Sequence, residues 1–540
     1  MHAFCRDSKK NKTSLVRLSH GTKLRSIVNQ LAQVKSIESL ITATDFSNQN
    51  LQCRHQQKSN SDTLDNFFFI TFDLLLEQST KMVLLLALAA VVVIFFVKIA
   101  HCFLFPKERR DTKGYKSGWF GKGPPPSDSE SEDTSIRPFK INVPEEVISD
   151  LKIRLERTRF ENPVEDSKFR YGFNPKYLQT VIKYWRTEYD WREQESMLNQ
   201  FPQYKTRIEG IDVHFVHVKP QMPSGRSLKI IPIMIIHGWP GSFVEFYKIL
   251  PLLTTARSNN DFVFEVVCPS IPGYGFSESP HQKGFNARAA ARIFATLMER
   301  LGHSRFYVQG GDWGSYISSL MARYYPTKVN GLHVNMYFFL PQTWEFLKGV
   351  AITLFPSLIS KDEYEIAFPL KRKFKMLLEE SAYFHMQGTK PDTLGCGMSD
   401  SPAGMAAFLL EKFPICTDRK FLDLEDGGLT KKFTLNELLT NVMMYWINNN
   451  FAAAARFYKE NVREVFRNLH EKVPVIVPSA VALFPHEVLM FPKTMMSQQM
   501  KNIVSYTIMP QGGHFAALEE PQLFSDDLWK FVSLVEGKFH

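Results

Sequence analysis

Three residues set far apart in the chain could together carry nucleophilic chemistry: Asp312 in Gly310-Gly311-Asp312-Trp313-Gly314, Glu487 in Phe484-Pro485-His486-Glu487-Val488-Leu489, and His514 in Gly512-Gly513-His514-Phe515-Ala516. Asp312 stands where an apolar run, 306–308, meets glycines and is followed by Tyr316-Ile317-Ser318-Ser319-Leu320-Met321-Ala322. That reads as strand, sharp turn and helix. The pattern is a nucleophile elbow, G-x-Nuc-x-G, with aspartate where serine is usual. A carboxylate held at such a turn attacks carbon and leaves an ester. A histidine oriented by an acid can then draw a proton from water. Another apolar run ends in His237-Gly238-Trp239-Pro240-Gly241-Ser242, where the backbone N–H near Trp239, with that of Trp313, would make an oxyanion hole.

Each of these residues also has a plainer reading. A lone Asp in a turn is usually a turn former or helix cap, a lone His a hydrogen-bonding residue, and a Gly/Pro cluster a tight strand-to-helix turn. The flanking glycines, the preceding strand and a late Gly-Gly-His, in the order nucleophile, acid, histidine, favour chemistry. Glu519 and Glu520 are nearer to His514 in sequence than Glu487. They are expected to face solvent at the start of the terminal helix, and Glu487 follows an apolar run and its loop. His214 and His217 fall on opposite faces of a strand, so no metal site is expected from them.

The elements that must position these groups follow from periodicity. Strand-like runs at 213–218, 229–236, 262–268, 306–310 and 332–337 alternate with a helical pattern at 287–301, the pitch of βαβ units and hence of a mostly parallel sheet. Parallel sheets collect functional groups past the carboxyl ends of their strands. The alternation then lapses for about a hundred residues, to Trp446, in a helix-rich, Phe- and Met-heavy stretch that reads as an inserted cap. Strand patterns resume at 473–477 and 503–508, and a helix over 523–535 closes the chain. Between Ile136 and Tyr204 the pattern is helical, with Val147, Leu151 and Leu155 on one face and Tyr177, Val181, Tyr184 and Trp185 on another. That region carries no titratable cluster and is assigned a packing role against the catalytic domain.

With 540 residues, 44% hydrophobic and 22% charged, the chain can bury one large α/β domain plus extensions. Its net charge of +10 is spread along the body without an interleaved aromatic recognition motif, so no nucleic-acid partner is expected. Six cysteines without a C-x-x-C pair read as free thiols of a reducing compartment.

Residues 1–81 read as a disordered or upstream extension, with a weak amphipathic pattern at 27–41 and Met82 as a natural start; a basic, serine-bearing transit peptide is the rival. From 82 to 97 no charge occurs, and the run continues past Lys98 to 105. About 20 apolar residues suffice to cross about 30 Å of hydrocarbon, so 82–105 is expected to be a single transmembrane anchor contacting membrane lipid. A cleaved signal peptide fits less well, for want of a small-x-small site. Lys107, Arg109, Arg110, Lys113 and Lys116 place the C-terminal side in the cytosol. Residues 106–135, with Gly121-Lys122-Gly123-Pro124-Pro125-Pro126, form a linker.

From about Ile136 onward the chain resembles the microsomal epoxide hydrolase family, membrane-anchored α/β-hydrolases whose arthropod relatives include juvenile hormone epoxide hydrolases. The motifs at His237–Ser242, Gly310–Gly314 and Gly512–Ala516 carry the resemblance. It implies an α/β-hydrolase fold with a mostly parallel sheet, a helical cap, an N-terminal helical region and the anchor. Its domains would be an N-terminal region at 136–205, a core in two parts at 206–340 and 447–540, the second including the return from the cap, and the cap at 341–446. The resemblance also implies two cap tyrosines as donors to the epoxide oxygen, matching Tyr383 and Tyr458, and it places the acid at Glu487. The expected activity is hydrolysis of a lipophilic epoxide by water to a vicinal diol, without metal or organic cofactor, at the endoplasmic reticulum membrane with the body facing the cytosol. An esterase would want serine at 312, and a dehalogenase has no use for paired cap tyrosines. A catalytically inactive, membrane-tethered binding protein of the same fold is the alternative from another class.

Overall fold

The unbroken apolar runs become the middle of one nine-stranded sheet. Its strands are β1 (Arg137–Phe139), β2 (Gln203–Ile208), β3 (Ile211–Val218), β4 (Lys229–Ile236), β5 (Phe262–Pro269), β6 (Phe306–Gly310), β7 (Val329–Val334), β8 (Ser479–Leu483) and β9 (Ile503–Ile508). The computed structural model describes residues 118–126, 132–338, 343–368, 370–466 and 473–537, together with Val91 and Ile94. The strands lie in the order β1-β2-β3-β5-β4-β6-β7-β8-β9. β1, β2, β3 and β5 pair antiparallel, and from β5 through β4 to β9 every pairing is parallel. Every residue of β5, β6 and β8 is buried, as strands covered on both faces must be.

Two chain features shape the centre of the sheet. β4 carries Pro232, and β6 joins β4 only from Ile233 onward, so the residue lacking an N–H sits where one flank of β4 is still unpaired. From β4 the chain passes to β5 on one side and then to β6 on the other. The order therefore reverses at β4, and the crevice past the carboxyl ends of β4 and β6 is the switch point where parallel sheets hold their ligands.

Helices start and stop where capping chemistry requires. Ala287–Arg300 begins at Asn286, whose side chain accepts from the Arg288 and Ala289 amides, and Gly302 beyond its end has φ of 88°. Leu435–Trp446 opens with a capping box between Thr434 and Glu437. The long interval after β7 is helical throughout its described part, from Thr343–Leu354 to Phe451–Phe466.

Several expectations are corrected. The strand expected at 473–477 is displaced to β8, and Val475 makes only an isolated bridge to Met500. Pro474 and Pro478 remove donors from the more apolar stretch, so the ladder forms on the small residues Ser479-Ala480-Val481-Ala482-Leu483. The strand expected at 332–337 starts at Val329 and ends at Val334. The region before Tyr204 also supplies β1 and part of β2, and its helices brace the cap more than the core. Arg170 makes two 2.8 Å bonds to Asp423, the Asn174 amide donates to the Glu425 carbonyl at 3.0 Å, and Tyr189 meets Thr440 at 3.0 Å.

Residues 1–81, with the pattern at 27–41, lie outside the described residues, as does the run 82–105 apart from Val91 and Ile94, both helical. Among the described residues no helix is long and apolar enough to cross a membrane. Cys268, Cys396 and Cys416 are free thiols.

Candidate active site

β6 ends directly beneath Asp312, the first residue of the helix Asp312–Tyr324. Its φ of 47° is a conformation that costs a non-glycine residue about 1–3 kcal/mol and persists only where the surroundings enforce it. The enforcement is visible at Gly314, where an added Cβ would lie 1.9 Å from the Ile236 carbonyl oxygen. The first helical turn therefore presses on the end of β4. Asp312 Oδ1 accepts the Trp239 amide at 2.8 Å, and the Trp313 amide helps to hold the carboxyl's pKa down.

His514 enters past β9. Its amide donates to the Cys416 carbonyl at 2.9 Å, so a cap segment fixes the loop. A Cβ at Gly513 would stand 2.1 Å from that carbonyl oxygen, which explains the glycine before the histidine. His514 Nδ1 meets Glu487 Oε1 at 2.7 Å, and Nε2 lies 3.8 Å from Asp312 Oδ2. Glu487, 2% exposed, lies past β8, and its Oε1 also accepts the Val488 amide at 2.6 Å.

Electrostatically the three groups are interdependent. Burial by itself would lower the His514 pKa, but the Glu487 carboxylate, with Asp312 and Glu245 behind it, outweighs burial and holds the ring at about 10. Burial pushes the Asp312 carboxyl up, opposed by the His514 charge and the two tryptophan amides. His514 is thus held protonated between Asp312 and Glu487.

Two helices, one within the expected cap and one just past its expected end at 446, place phenols opposite. Tyr383 lies on Ala382–Thr389 and Tyr458 on Phe451–Phe466. The Trp239 ring stacks on Tyr383 at 4.9 Å and 13°, and the Trp313 ring meets Tyr458 edge-on at 4.8 Å. The two tyrosine rings are 6.2 Å apart. Burial, reinforced by the Asp312 charge, keeps both phenols well above their ordinary pKa, so both remain O–H donors at neutral pH. Trp239 and Trp313, whose amides face the Asp312 carboxylate, are therefore the residues the two tyrosines pack on.

The loop carrying the Trp239 amide is pinned on both sides. Asn441, 4% exposed on the cap helix Leu435–Trp446, donates to the Pro240 carbonyl at 2.7 Å and accepts the Ser242 hydroxyl at 2.8 Å. Tyr445 donates to the Gly241 carbonyl at 2.7 Å. His237, whose pKa burial lowers to about 4, is neutral; Nε2 accepts the Ile271 amide at 3.1 Å and Nδ1 faces the Gly238 carbonyl at 3.0 Å. It is a tie between loops.

Sequence reasoning missed part of the site. Glu245, on the short helix Phe243–Phe246, faces His514 and Asp312, and burial pushes its carboxyl up to about 8. Glu519, expected in solvent, is 7% exposed; it accepts the Phe515 amide at 2.9 Å and is likewise pushed up to about 8 by burial. Glu520 is 9% exposed and holds Gln511 and Lys432. A cavity of about 20 Å³ reaches Asp312, His514, Glu245, Gln309 and Asn335, which is room for one water with polar partners. Glu245 could have been suspected from its place one turn beyond the His237–Ser242 motif; nothing local marks Asn441.

Residues 136–246 match the family described as epoxide hydrolase N terminus, and residues 231–363 match the alpha/beta hydrolase fold. The chain is 49% identical over 437 residues to epoxide hydrolase 1 of Sus scrofa, covering 80% of this chain and 95% of that protein. It is 44% identical to juvenile hormone epoxide hydrolase 2 of Ctenocephalides felis, over 81% of this chain and 92% of that one. The crystal structure of juvenile hormone epoxide hydrolase from the silkworm Bombyx mori superposes with a TM-score of 0.75 at 38% identity, covering 78% of this chain and 99% of that chain. Aspergillus niger epoxide hydrolase follows with 0.64 at 30% identity, over 75% and 98%. An elbow that presents aspartate, a sheet with this order and relatives matched over nearly their whole length converge on one statement: this chain is a member of the epoxide hydrolase family, built on the α/β-hydrolase fold.

Proposed function

We propose that the protein opens lipophilic epoxides to vicinal diols through an ester on Asp312. The observation that carries this reading is the carboxylate itself: Oδ1 is committed to the Trp239 amide, leaving Oδ2 as the attacking oxygen. Oδ2 attacks an epoxide carbon, the C–O bond breaks, and the oxygen leaves as an alkoxide met by the Tyr383 and Tyr458 hydroxyls. Ester formation also removes the Asp312 charge that helped to hold His514 protonated. The ring's proton affinity falls, its proton passes to the alkoxide, and the neutral imidazole left behind is the base, kept in orientation by Glu487. His514 then takes a proton from a water in the cavity beside it, the hydroxide adds to the ester carbonyl, and the Trp239 and Trp313 amides hold the oxyanion. Collapse expels the diol and restores the carboxylate.

The substrate class rests on the aromatic lining and on the sequence before the body. The uncharged run 82–97, extended to 105 and followed by basic residues, supports a single-pass anchor in the endoplasmic reticulum membrane with the body in the cytosol, sampling epoxides that partition into lipid. Terpenoid hormone epoxides and xenobiotic alkene or arene oxides both belong to that class. The test is a single turnover of a lipophilic epoxide in oxygen-18 water, followed by mass analysis of the Asp312 peptide. Label in that carboxylate is expected; diol without it would overturn the ester route, and absence of any diol would leave the inactive binding protein.

A further inference from the structure

At the opposite end of β6 from Asp312 lies a second cluster that the reaction does not use. Glu265 is the one acid among the eight buried residues of β5. In the antiparallel register of β3 and β5, His217 stands opposite Val267, which makes Glu265 its diagonal neighbour on the same face. His217 Nε2 and Glu265 Oε1 are 2.7 Å apart. His303, in the turn between Ala287–Arg300 and β6, brings Nε2 to 3.4 Å from that same oxygen; the nitrogen is closed off from solvent and has no hydrogen-bond geometry to any partner among the described residues. All three candidate ligand atoms lie within 4.8 Å of one another.

A carboxylate in the interior of a sheet needs a compensating cation. Neither partner of Glu265 in this cluster is a lysine or an arginine. A divalent ion answers the requirement, since it takes neutral imidazole nitrogen and carboxylate oxygen together. Tetrahedral zinc sets neighbouring ligand atoms about 3.3 Å apart, given Zn–N bonds of about 2.0–2.1 Å. The separations of 2.7 and 3.4 Å from Glu265 Oε1 bracket that spacing, and the two imidazole nitrogens lie within 4.8 Å of each other. His214, three residues before His217, is not involved: its ring nitrogens face Ser270 and Gln203, each at 2.9 Å.

We propose that His217, Glu265 and His303 form a zinc-binding site that ties β3, β5 and the turn before β6 together, with water as the fourth ligand. The site is structural. β6 alone, five residues long, separates His303 from Asp312 by roughly 17 Å at strand rise, so the ion takes no part in epoxide opening.

The experiment uses the purified full chain stripped with a chelator and titrated with Zn²⁺ in competition with a chromophoric chelator, followed by Co²⁺ substitution. One equivalent bound at submicromolar affinity is expected, with the intense visible bands of tetrahedral Co²⁺. His303→Ala, in a surface turn, should cut affinity by more than about 100-fold, beyond what losing an outer partner costs. Glu265→Gln should do the same; if it does not fold, His303→Ala decides. Zinc should raise the melting temperature of the parent chain and not that of His303→Ala, with epoxide turnover equal in stripped and loaded protein. Absence of binding by the parent, or equal binding by His303→Ala, would overturn the site. Turnover that requires zinc would overturn its structural role.

Discussion

Replacing His514 with glutamine tests the coupling between nucleophile and base. Two effects act in opposite directions. Loss of a positioned general base slows hydrolysis of the ester by about 10²–10⁴-fold, or roughly 3–5 kcal/mol of barrier. The variant also lacks a positive charge 3.8 Å from Asp312 Oδ2, an interaction worth at most about 4 kcal/mol at the effective dielectric of such sites. Burial already pushes the Asp312 carboxyl up, and without the imidazolium it moves further, so ester formation should acquire an acid limb displaced toward alkaline pH. Rapid quench of His514→Gln with a lipophilic epoxide at alkaline pH should therefore give an Asp312 peptide heavier by the mass of the epoxide, decaying at least about 100-fold more slowly than in the parent. Lowering the pH should suppress its formation. Diol production at the parental rate with no trapped ester would remove His514 as the base, and ester formation with an unmoved acid limb would refute the charge argument.

Three further outcomes follow from the geometry. Tyr383→Phe and Tyr458→Phe should each slow ester formation by about 10²–10³-fold with little change in its hydrolysis, as separated by stopped-flow and quench. Gly513→Ala should slow hydrolysis more than ester formation, by about 10²-fold for an ångström of displacement, because its Cβ would meet the Cys416 carbonyl at 2.1 Å; an effect confined to ester formation would contradict it. Glu245 is raised to about 8 in the fold, above its unfolded value near 4.5, so the native state binds the extra proton between those values. Its contribution to stability is complete below about pH 4.5 and is lost as pH rises through about 8. Glu245→Gln keeps the neutral form at every pH, and its melting temperature should fall less than the parent's across that window; parallel curves would refute the assignment.

The strand–turn–helix around Asp312 was legible because its signals are local: apolar run, glycines, apolar helix. β4 and β5 were legible for the same reason, being largely apolar stretches with clear ends, and β9 through its β-branched and aromatic residues. β8 was not, since prolines at 474 and 478 move the ladder onto small residues that carry little hydrophobic signal. β1 and β2 pair through registers set by distant chain, and β1 is only three residues long. The misreading of Glu519 has one cause: a buried carboxylate reveals itself only through partners such as the Phe515 amide. His303 and Glu265 were invisible as a pair for the same reason, because three separate elements bring the cluster together. Tyr383 and Tyr458 came from resemblance, and no spacing in the chain marks them among 18 tyrosines.

The grip of Asn441 and Tyr445 on residues 240–242 bears on how this fold can change. A helical insertion over a sheet is readily imagined as an exchangeable lid that sets selectivity and leaves the chemistry alone. Here the insertion also holds, through two side chains, the loop whose amide supports the nucleophile, and its Cys416 carbonyl holds the histidine. Grafting a foreign cap for a new substrate would detach the Trp239 amide and the His514 loop together. New selectivity is more accessible by substitution on the pocket-facing surfaces of the existing helices, with those three anchors left in place.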